Sequence, residues 1–455
     1  VIIGLSTRGR PKVVNAGSTA WVLVSAALVM LMTPGLALFY GGLVRSRSVL
    51  NVMMMSIMCL GVVGVLWILY GYSLAFGNDL GGGLVGGFEH VLLRDPTALV
   101  GPESDKIPLM AFAMFQLMFA VITAALISGA IPERAKFWSW TVFIVLWATF
   151  VYFPMAHWTF AFDGFAAETG GWIANDLKAL DFAGGTTVEI NSGASALALA
   201  IVIGRRYGWP KEPMRPHNVP NVLLGAGLLW FGWFGFNAGS ALASGTLAAN
   251  TFATTMTASA AAVVSWLIYE HLADGRPTSV GAASGAIAGL VAITPACGYV
   301  DTLGALLIGL LAGVVCALAI KLKYKLGYDD SLDVVALHGL GGVLGMIMIG
   351  FLATAKVNPA GADGLFYGGG TSQLGKQVVA TLAAMAYAFV LTAVLAWLVQ
   401  KTIGFRVDRE VEASGIDEAE HAESGYDLSS LGASRGAFAG GSGSMTRDRA
   451  AGEGN

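Results

Sequence analysis

Glu189, in the stretch GGTTVEINSG, and His338, in VVALHGLGG, are the clearest ionisable residues set well inside apolar runs of this chain. A charge carried to mid-membrane is costly, so such residues are functional by default. A carboxyl and an imidazole can both take and give a proton, which makes them candidates for a proton-handling pair lining a passage. The structural alternative is a satisfied hydrogen-bonded pair between two buried helices. Asp181 opens LDFAGGTTVEIN. An acid just ahead of a helix caps free backbone N–H groups, and the same charge would draw a cation toward a nearby pore mouth. Aromatic residues crowd two segments: Phe115 and Phe119 in AFAMFQLMF, and Trp230, Trp233, Phe234 and Phe236 in WFGWFGFNAGS. One at a time these are packing residues. Together with Ser240 they suggest a site for a small cation, because aromatic faces attract positive charge.

The elements that must position these residues are membrane helices. Charged residues make up 12% of the 455 positions, about half the ~25% usual in soluble domains, and the mean hydropathy is +0.68. Most of the chain therefore does not face water. Apolar runs long enough to cross a bilayer predict helices near 19–43, 50–76, 108–131, 137–155, 186–204, 219–243, 249–272, 279–297, 303–321, 334–354 and 376–403. This is an all-α integral membrane fold of about eleven spans. Sixty-one glycines fit it, since small residues let membrane helices approach closely.

Alternate loops hold Arg45, Arg47, Arg134, Lys136, Arg205, Arg206, Lys211, Arg215, Arg276, Lys321, Lys323 and Lys325, against Arg94, Lys106, Lys178, Lys356 and Lys376 on the other side. The basic side reads as cytoplasmic, which puts the N-terminus outside and the C-terminus inside, against the contrary vote of Arg8, Arg10 and Lys12. Residues 1–18 read as an extracellular leader, 19–403 as the transmembrane domain, and 404–455 as a cytoplasmic tail that is docked to about 427 and disordered beyond. Asp181 precedes Glu189 by eight residues, and Asp330 precedes His338 by eight. That echo predicts two inverted five-helix repeats followed by a final long helix, with the site at their interface. A net charge of −3 gives no footing for nucleic acid. Cys59, Cys297 and Cys316 lie in apolar runs and read as packing residues. No metal-ligand pattern, catalytic constellation or cofactor motif is present, and GLGG falls inside a span rather than in a phosphate loop.

With these residues in view, the chain from about 19 to 427 resembles the Amt/Mep ammonium transporter family. The resemblance rests on TPGLALFYGGLVR (33–45), FQLMFAVITAALISGAIPER (115–134), DFAGGTTVEIN (181–191), GWFGFNAGS (232–240), HGLGG (338–342) and the tail segment GFRVDREVEASGIDEAEHAESGY (404–426). It implies an outer ammonium site at Phe115 and Ser240 with an aromatic from AHWTF, either Phe160 or Trp158, and with Asp181 nearby. It also implies a gate of two stacked rings, Phe119 and Phe236, and a pore pair at Glu189 and His338. Glu189 stands where the family more often has histidine, and Phe160 where it more often has tryptophan.

The implied activity is ammonium transport across the plasma membrane. Ammonium is recruited outside and loses a proton, and ammonia passes a hydrophobic pore while the Glu–His pair relays the proton. The resemblance further implies a homotrimer in lipid. It implies a PII-type signalling protein docking on the cytoplasmic face, at 404–426 and the loop from Lys321 to Asp333. The rival reading is an ammonium sensor signalling through a bound partner. A membrane enzyme built on Glu189, His338 and Asp181 finds no nucleophile in the sequence.

Overall fold

The computed structural model describes residues 14–426, and the expectations for a leader before residue 14 and for the tail beyond 426 lie outside the described residues. Among the described residues, eleven helices pass through the body: α1 (Ala16–Leu43), α2 (Val49–Phe76), α3 (Leu109–Ala130), α4 (Phe137–Phe160), α5 (Gly185–Ile203), α6 (Val219–Gly239), α7 (Thr246–Asp274), α8 (Ser279–Ile293), α9 (Thr302–Leu326), α10 (Val335–Leu352) and α11 (Ser372–Thr402). Ten of them are long and apolar enough to cross a membrane, and α8 is the shorter one. Several starts follow from capping side chains. Asn15 accepts from Ser18 N at 3.0 Å, Asn218 from Asn221 N at 3.1 Å, and Asp301 from Gly304 N at 2.8 Å.

Helix α8 departs from the predicted 279–297. It ends at Ile293, after 15 residues, or about 22 Å at ~1.5 Å per residue, short of the ~30 Å hydrocarbon core. Pro295 has no N–H to continue the ladder, and its carbonyl instead accepts from Phe182 N at 3.0 Å. Non-helical backbone at this depth is tolerable because protein covers it: Ala296, Cys297 and Val300 are fully buried.

The helices approach through small residues. Along the contact of α1 with α6, a Cβ on Gly225 would strike the backbone of Phe39 and Gly35, and one on Gly239 would strike Ser25. With no solvent-driven hydrophobic force between spans, this close packing is what holds them together. Leu23, Val24, Met30, Val65, Phe150, Phe231 and Trp397 remain exposed, as side chains facing lipid should.

The two halves mirror each other at their fifth helices. Helix α5 opens with a π-turn, Gly185–Ile190, and α10 with another, Val335–Leu340. Each is preceded by an aspartate bonded to backbone N–H groups at the start of its helix: Asp181 to Gly184 and Gly185, Asp330 to Val335. The eight-residue echo in the sequence is thus the same local structure built twice.

On the face that carries the tail, an ionic cluster ties the loops together. Glu133 receives Arg45 Nε at 2.9 Å and Arg206 Nη1 at 3.0 Å, and Asp329 receives Arg206 Nε and Nη2 at 2.9 Å each. The tail helices α12 (Arg409–Ser414) and α13 (Ile416–His421) dock on this cluster. Glu412 accepts from Tyr207 N at 2.5 Å and from Arg406 Nη2 at 2.6 Å. Asp417 caps α2 through Leu50 N and Asn51 N, at 3.0 and 2.9 Å, and Glu420 caps α4 through Phe137 N at 2.8 Å. Carboxylates at helix N-termini are favoured by both the free N–H groups and the helix dipole.

Burial pushes the carboxyls of Glu133 and Asp329 up. The guanidinium groups of Arg206 and Arg45 on the first, and of Arg134 and Arg206 on the second, outweigh that and hold both below the usual carboxylate range. An acid whose pKa is depressed by folding contributes stability above its unfolded value and loses it as pH falls through the folded one. Protection of the Arg45 and Arg206 amides, which donate to Glu133 and Asp329 at 2.9 and 2.8 Å, against hydrogen exchange is therefore expected to hold from neutral pH down to about 4 and to fall only below that. Loss of protection between pH 7 and 5 would contradict this.

Candidate functional site

On the face opposite the tail, a chamber of about 700 Å³ opens between α3, α4, α6 and the segment leading into α5. Its wall includes Phe112, Gln116, Phe119, Phe160, Asp181 and Ser240. Asp181 is 5% exposed, and its carboxylate is fully engaged. Oδ1 accepts from Gly184 N at 2.8 Å and Gly185 N at 2.7 Å, and Oδ2 accepts from Thr186 N at 2.8 Å and from the Thr186 hydroxyl. It caps the π-turn and places a negative charge at the chamber floor. The Ser240 hydroxyl donates to the Phe236 carbonyl at 2.8 Å, which fixes its oxygen toward the cavity wall.

The floor is closed by two rings. Phe119 and Phe236 stack with centroids 4.1 Å apart and planes at 23°. Phe160 meets Phe119 edge-on at 6.4 Å. Phe115 is fully buried against Phe119, edge-on at 4.8 Å. Trp158 points elsewhere. It stacks near Tyr387 and Trp172, at 4.4 and 5.7 Å, and its Nε1 donates to Leu84 O at 2.8 Å. Phe160 and Trp158 lie two residues apart near the end of α4, so helical geometry sends them to different faces.

Beyond the rings lies a narrow passage lined by Ile122, Val188, Trp233, Phe236, Glu189 and His338, with about 10 Å³ of free space. That is room for about one water-sized molecule. Here His338 Nδ1 lies 2.7 Å from Glu189 Oε2, and both side chains are buried. The two residues are 149 positions apart in sequence, brought together by the mirrored π-turns. Such turns recur where a helix is adjusted to present a functional side chain. A hydrogen bond this short between two titratable groups makes them one unit sharing protons. Glu189 Oε1 has no partner among the described protein groups, which leaves an acceptor free beside the passage.

The crossing of α5 and α10 is set by glycine. A Cβ on Gly193 would collide with the backbone of Gly339, one residue beyond His338, and one on Gly342 would meet Glu189 Cβ at 2.8 Å. Valine at 193 is expected to push the helices apart, destabilising the fold by about 1–3 kcal/mol and lowering transport with it. Thermal stability of the purified variant measures the first effect, and a wild-type melting temperature would contradict the reading of this contact.

Gln116 is a wall residue that sequence reasoning passed over. Its signal was available: it is the one amide inside the apolar run AFAMFQLMFA. Trp233 was noted among the aromatics but not placed in the passage, where its Nε1 is tied to Thr294 Oγ1 at 2.8 Å. Among the described residues no cluster of His, Cys, Asp and Glu could hold a metal ion.

A helical body of membrane spans, holding a chamber, a closed aromatic gate and a buried ionisable pair in line, defines a transmembrane transporter of a small solute. The comparisons with known proteins place it further. The Ammonium Transporter Family model matches residues 20–426. The ammonium transporter of Mycobacterium tuberculosis is 57% identical over 435 residues, covering 91% of each chain. Ammonium transporter Amt1 of Archaeoglobus fulgidus is 45% identical over 410 residues, covering 90% of this chain and 99% of that protein. Among solved structures, Saccharomyces cerevisiae Mep2 superposes with a TM-score of 0.79 at 34% identity, covering 87% of this chain and 88% of that one. A sensor Amt protein superposes with a TM-score of 0.81 at 28% identity, covering 89% and 98%. The chain belongs to the ammonium transporter family, whose members are transporters rather than enzymes.

Proposed function

We propose that this protein carries out its family's ammonium transport by stripping the ion of its charge before it enters the oily passage. Ammonium collects in the chamber against Phe160 and the Ser240 hydroxyl, with Phe115 backing the gate and the Asp181 charge favouring the cation. The stacked rings of Phe119 and Phe236 exclude bulk water. The ion loses a proton at or just below them. Ammonia then moves along the passage beside Glu189 and His338, which share and relay the proton. The observation that carries this reading is the 2.7 Å Glu189–His338 contact, set in an apolar passage directly beneath a closed aromatic stack. An unpaired ion pays heavily to enter such a passage, and neutral ammonia does not.

The orientation follows from the basic loops: the chamber outside, the tail in the cytoplasm, in the plasma membrane. A homotrimer is proposed from family resemblance, with the exposed apolar side chains outside the pore available to neighbouring copies and to lipid. A PII-type protein is proposed to dock where the tail meets the ionic cluster. Sensing through a bound partner is the other reading. Its support is the likeness to one sensor Amt protein, whereas the curated relatives compared above are named transporters. Uptake of labelled methylammonium by cells that lack other ammonium transporters separates the two. Transport predicts saturable uptake that requires this chain, and background uptake with normal membrane insertion would favour the sensor.

A further inference from the structure

Asp181 is held in place from outside its own helix. The residue before it, Leu180, lies in the chamber wall and is gripped by a side chain of α11. Leu180 N donates to Gln377 Oε1 at 2.7 Å, and Gln377 Nε2 donates to Leu180 O at 2.7 Å. The residue after it, Phe182, donates its N–H to Pro295 O at 3.0 Å. Gln377 is fully buried. Gln373, one helical turn earlier on α11, donates to Gln377 Oε1 at 2.9 Å, and Gln377 Nε2 also donates to Met346 O on α10 at 3.3 Å. The amide stands only this way round, because the backbone N–H needs its oxygen and the two carbonyls need its NH₂. Gln377 thus serves both backbone groups of Leu180, as a paired strand would.

The mirrored acid is pinned on the same plan, with one difference. Ahead of Asp330, the carbonyl of Asp329 accepts from Arg134 Nη2 at 2.6 Å. Behind it, Ser331 N donates to Ala130 O at 3.3 Å. Ala130 ends α3 and Pro295 lies just past α8, the third helices of the two halves, so each half pins the acid of the other. The side-chain grip breaks the symmetry. At Asp330 it comes from Arg134, between α3 and α4 of the first repeat. At Asp181 it comes from α11, which belongs to neither repeat.

Leu180 precedes the capping acid directly, so a shift of its backbone moves the Asp181 carboxylate. Without Gln377 the N–H and carbonyl of Leu180 would lose their partners, and a segment with unpaired backbone groups moves until they are paired again. We propose that Gln377, backed by Gln373, is a positioning residue for ammonium recruitment: it fixes Leu180, and so holds the Asp181 charge at the chamber floor and in register with the π-turn it caps. This rests on the reading of the chamber as the recruitment site.

The test uses Gln377→Met in the full chain, which keeps the side chain's length and removes its hydrogen bonds. In the first arm, amide hydrogen exchange is measured residue by residue. Gly184, Gly185 and Thr186, the donors to Asp181, are expected to exchange about tenfold faster through local opening. Val335, the donor to Asp330 at 2.8 Å, should keep its native rate. Unchanged exchange at the first three, or an equal rise at Val335, overturns the proposal, since the second outcome is general loosening. In the second arm, half-saturation for methylammonium is expected to rise about threefold, as follows when a partly screened charge moves slightly away from a cation, with the maximal rate changed far less. An unchanged half-saturation overturns the positioning role. Should Gln377→Met fail to insert, Gln373→Met, which removes only the donor to Gln377 Oε1, is expected to show the same pattern at smaller amplitude, and native values in it overturn the proposal. Asp181→Asn is the control: if its uptake is normal, the chamber reading is what fails, and the exchange rates still decide the grip of Gln377.

Discussion

Replacing Glu189 or His338 by alanine is expected to reduce the current driven by an ammonium gradient at least tenfold. Positioned proton transfer is worth about 10²–10⁴-fold where it limits a reaction, and the two groups act as one unit across a 2.7 Å hydrogen bond. The effects should therefore not add: the double variant should lose about as much as either single one. Each single variant also leaves its partner buried without its counterpart. A single remaining group still lines the passage but has no partner with which to share a proton, so ammonia passes while charge does not. Unchanged current and unchanged potassium exclusion in both alanine variants would remove the pair from the mechanism.

Asp181→Ala is expected to abolish methylammonium uptake, for two separable reasons. The carboxylate takes backbone N–H groups of Gly184, Gly185 and Thr186 together with the Thr186 hydroxyl. Removing it leaves three buried backbone donors without a partner, each costing about 1–3 kcal/mol. These donors start the π-turn that presents Glu189 to His338, so the damage reaches the pore pair eight residues on. Removal also deletes the negative charge beneath the chamber. Asp181→Asn divides the two: an amide oxygen can still accept part of the cap, but the charge is gone and an NH₂ faces the Thr186 donors. Uptake is expected to fall severely in both variants, with thermal stability falling further in Asp181→Ala. Normal uptake by correctly folded Asp181→Ala would reduce the residue to a dispensable cap.

Much of the fold could be read from the sequence because a bilayer admits few solutions. Among the described residues, eleven apolar runs correspond to eleven helices, and α6 starts at Val219, where its apolar run begins. The end of α8 did not follow, because the run 279–297 stays apolar past Pro295. What stops the helix there is Pro295, which has no N–H to continue the ladder, and its carbonyl is then taken by Phe182 N, 113 residues away. The site was legible in residue type but not in direction. Glu189 and His338 stood out as ionisable groups in greasy runs, and the eight-residue echo hinted that they belong together. Which way Phe160 and Trp158 point was hidden, since it depends on where α4 ends and which loop covers it. Phe115 stood out as an aromatic of the same run, and its edge-on contact with the gate ring of Phe119 could not be read from that run. The caps that Asp417 and Glu420 place on α2 and α4 were invisible, as acidic residues in a polar tail look like solvated charge until a helix terminus is put beside them.

The central claim is that cargo crosses the passage without its charge, because the space between Phe236 and His338 is too apolar and too small for a hydrated ion. Purified protein in a planar bilayer tests it most directly, with currents recorded under equal gradients of ammonium and then of potassium. The account predicts a saturable response to ammonium and none to potassium, whose charge cannot be left behind. Steady potassium current through the native protein would contradict it.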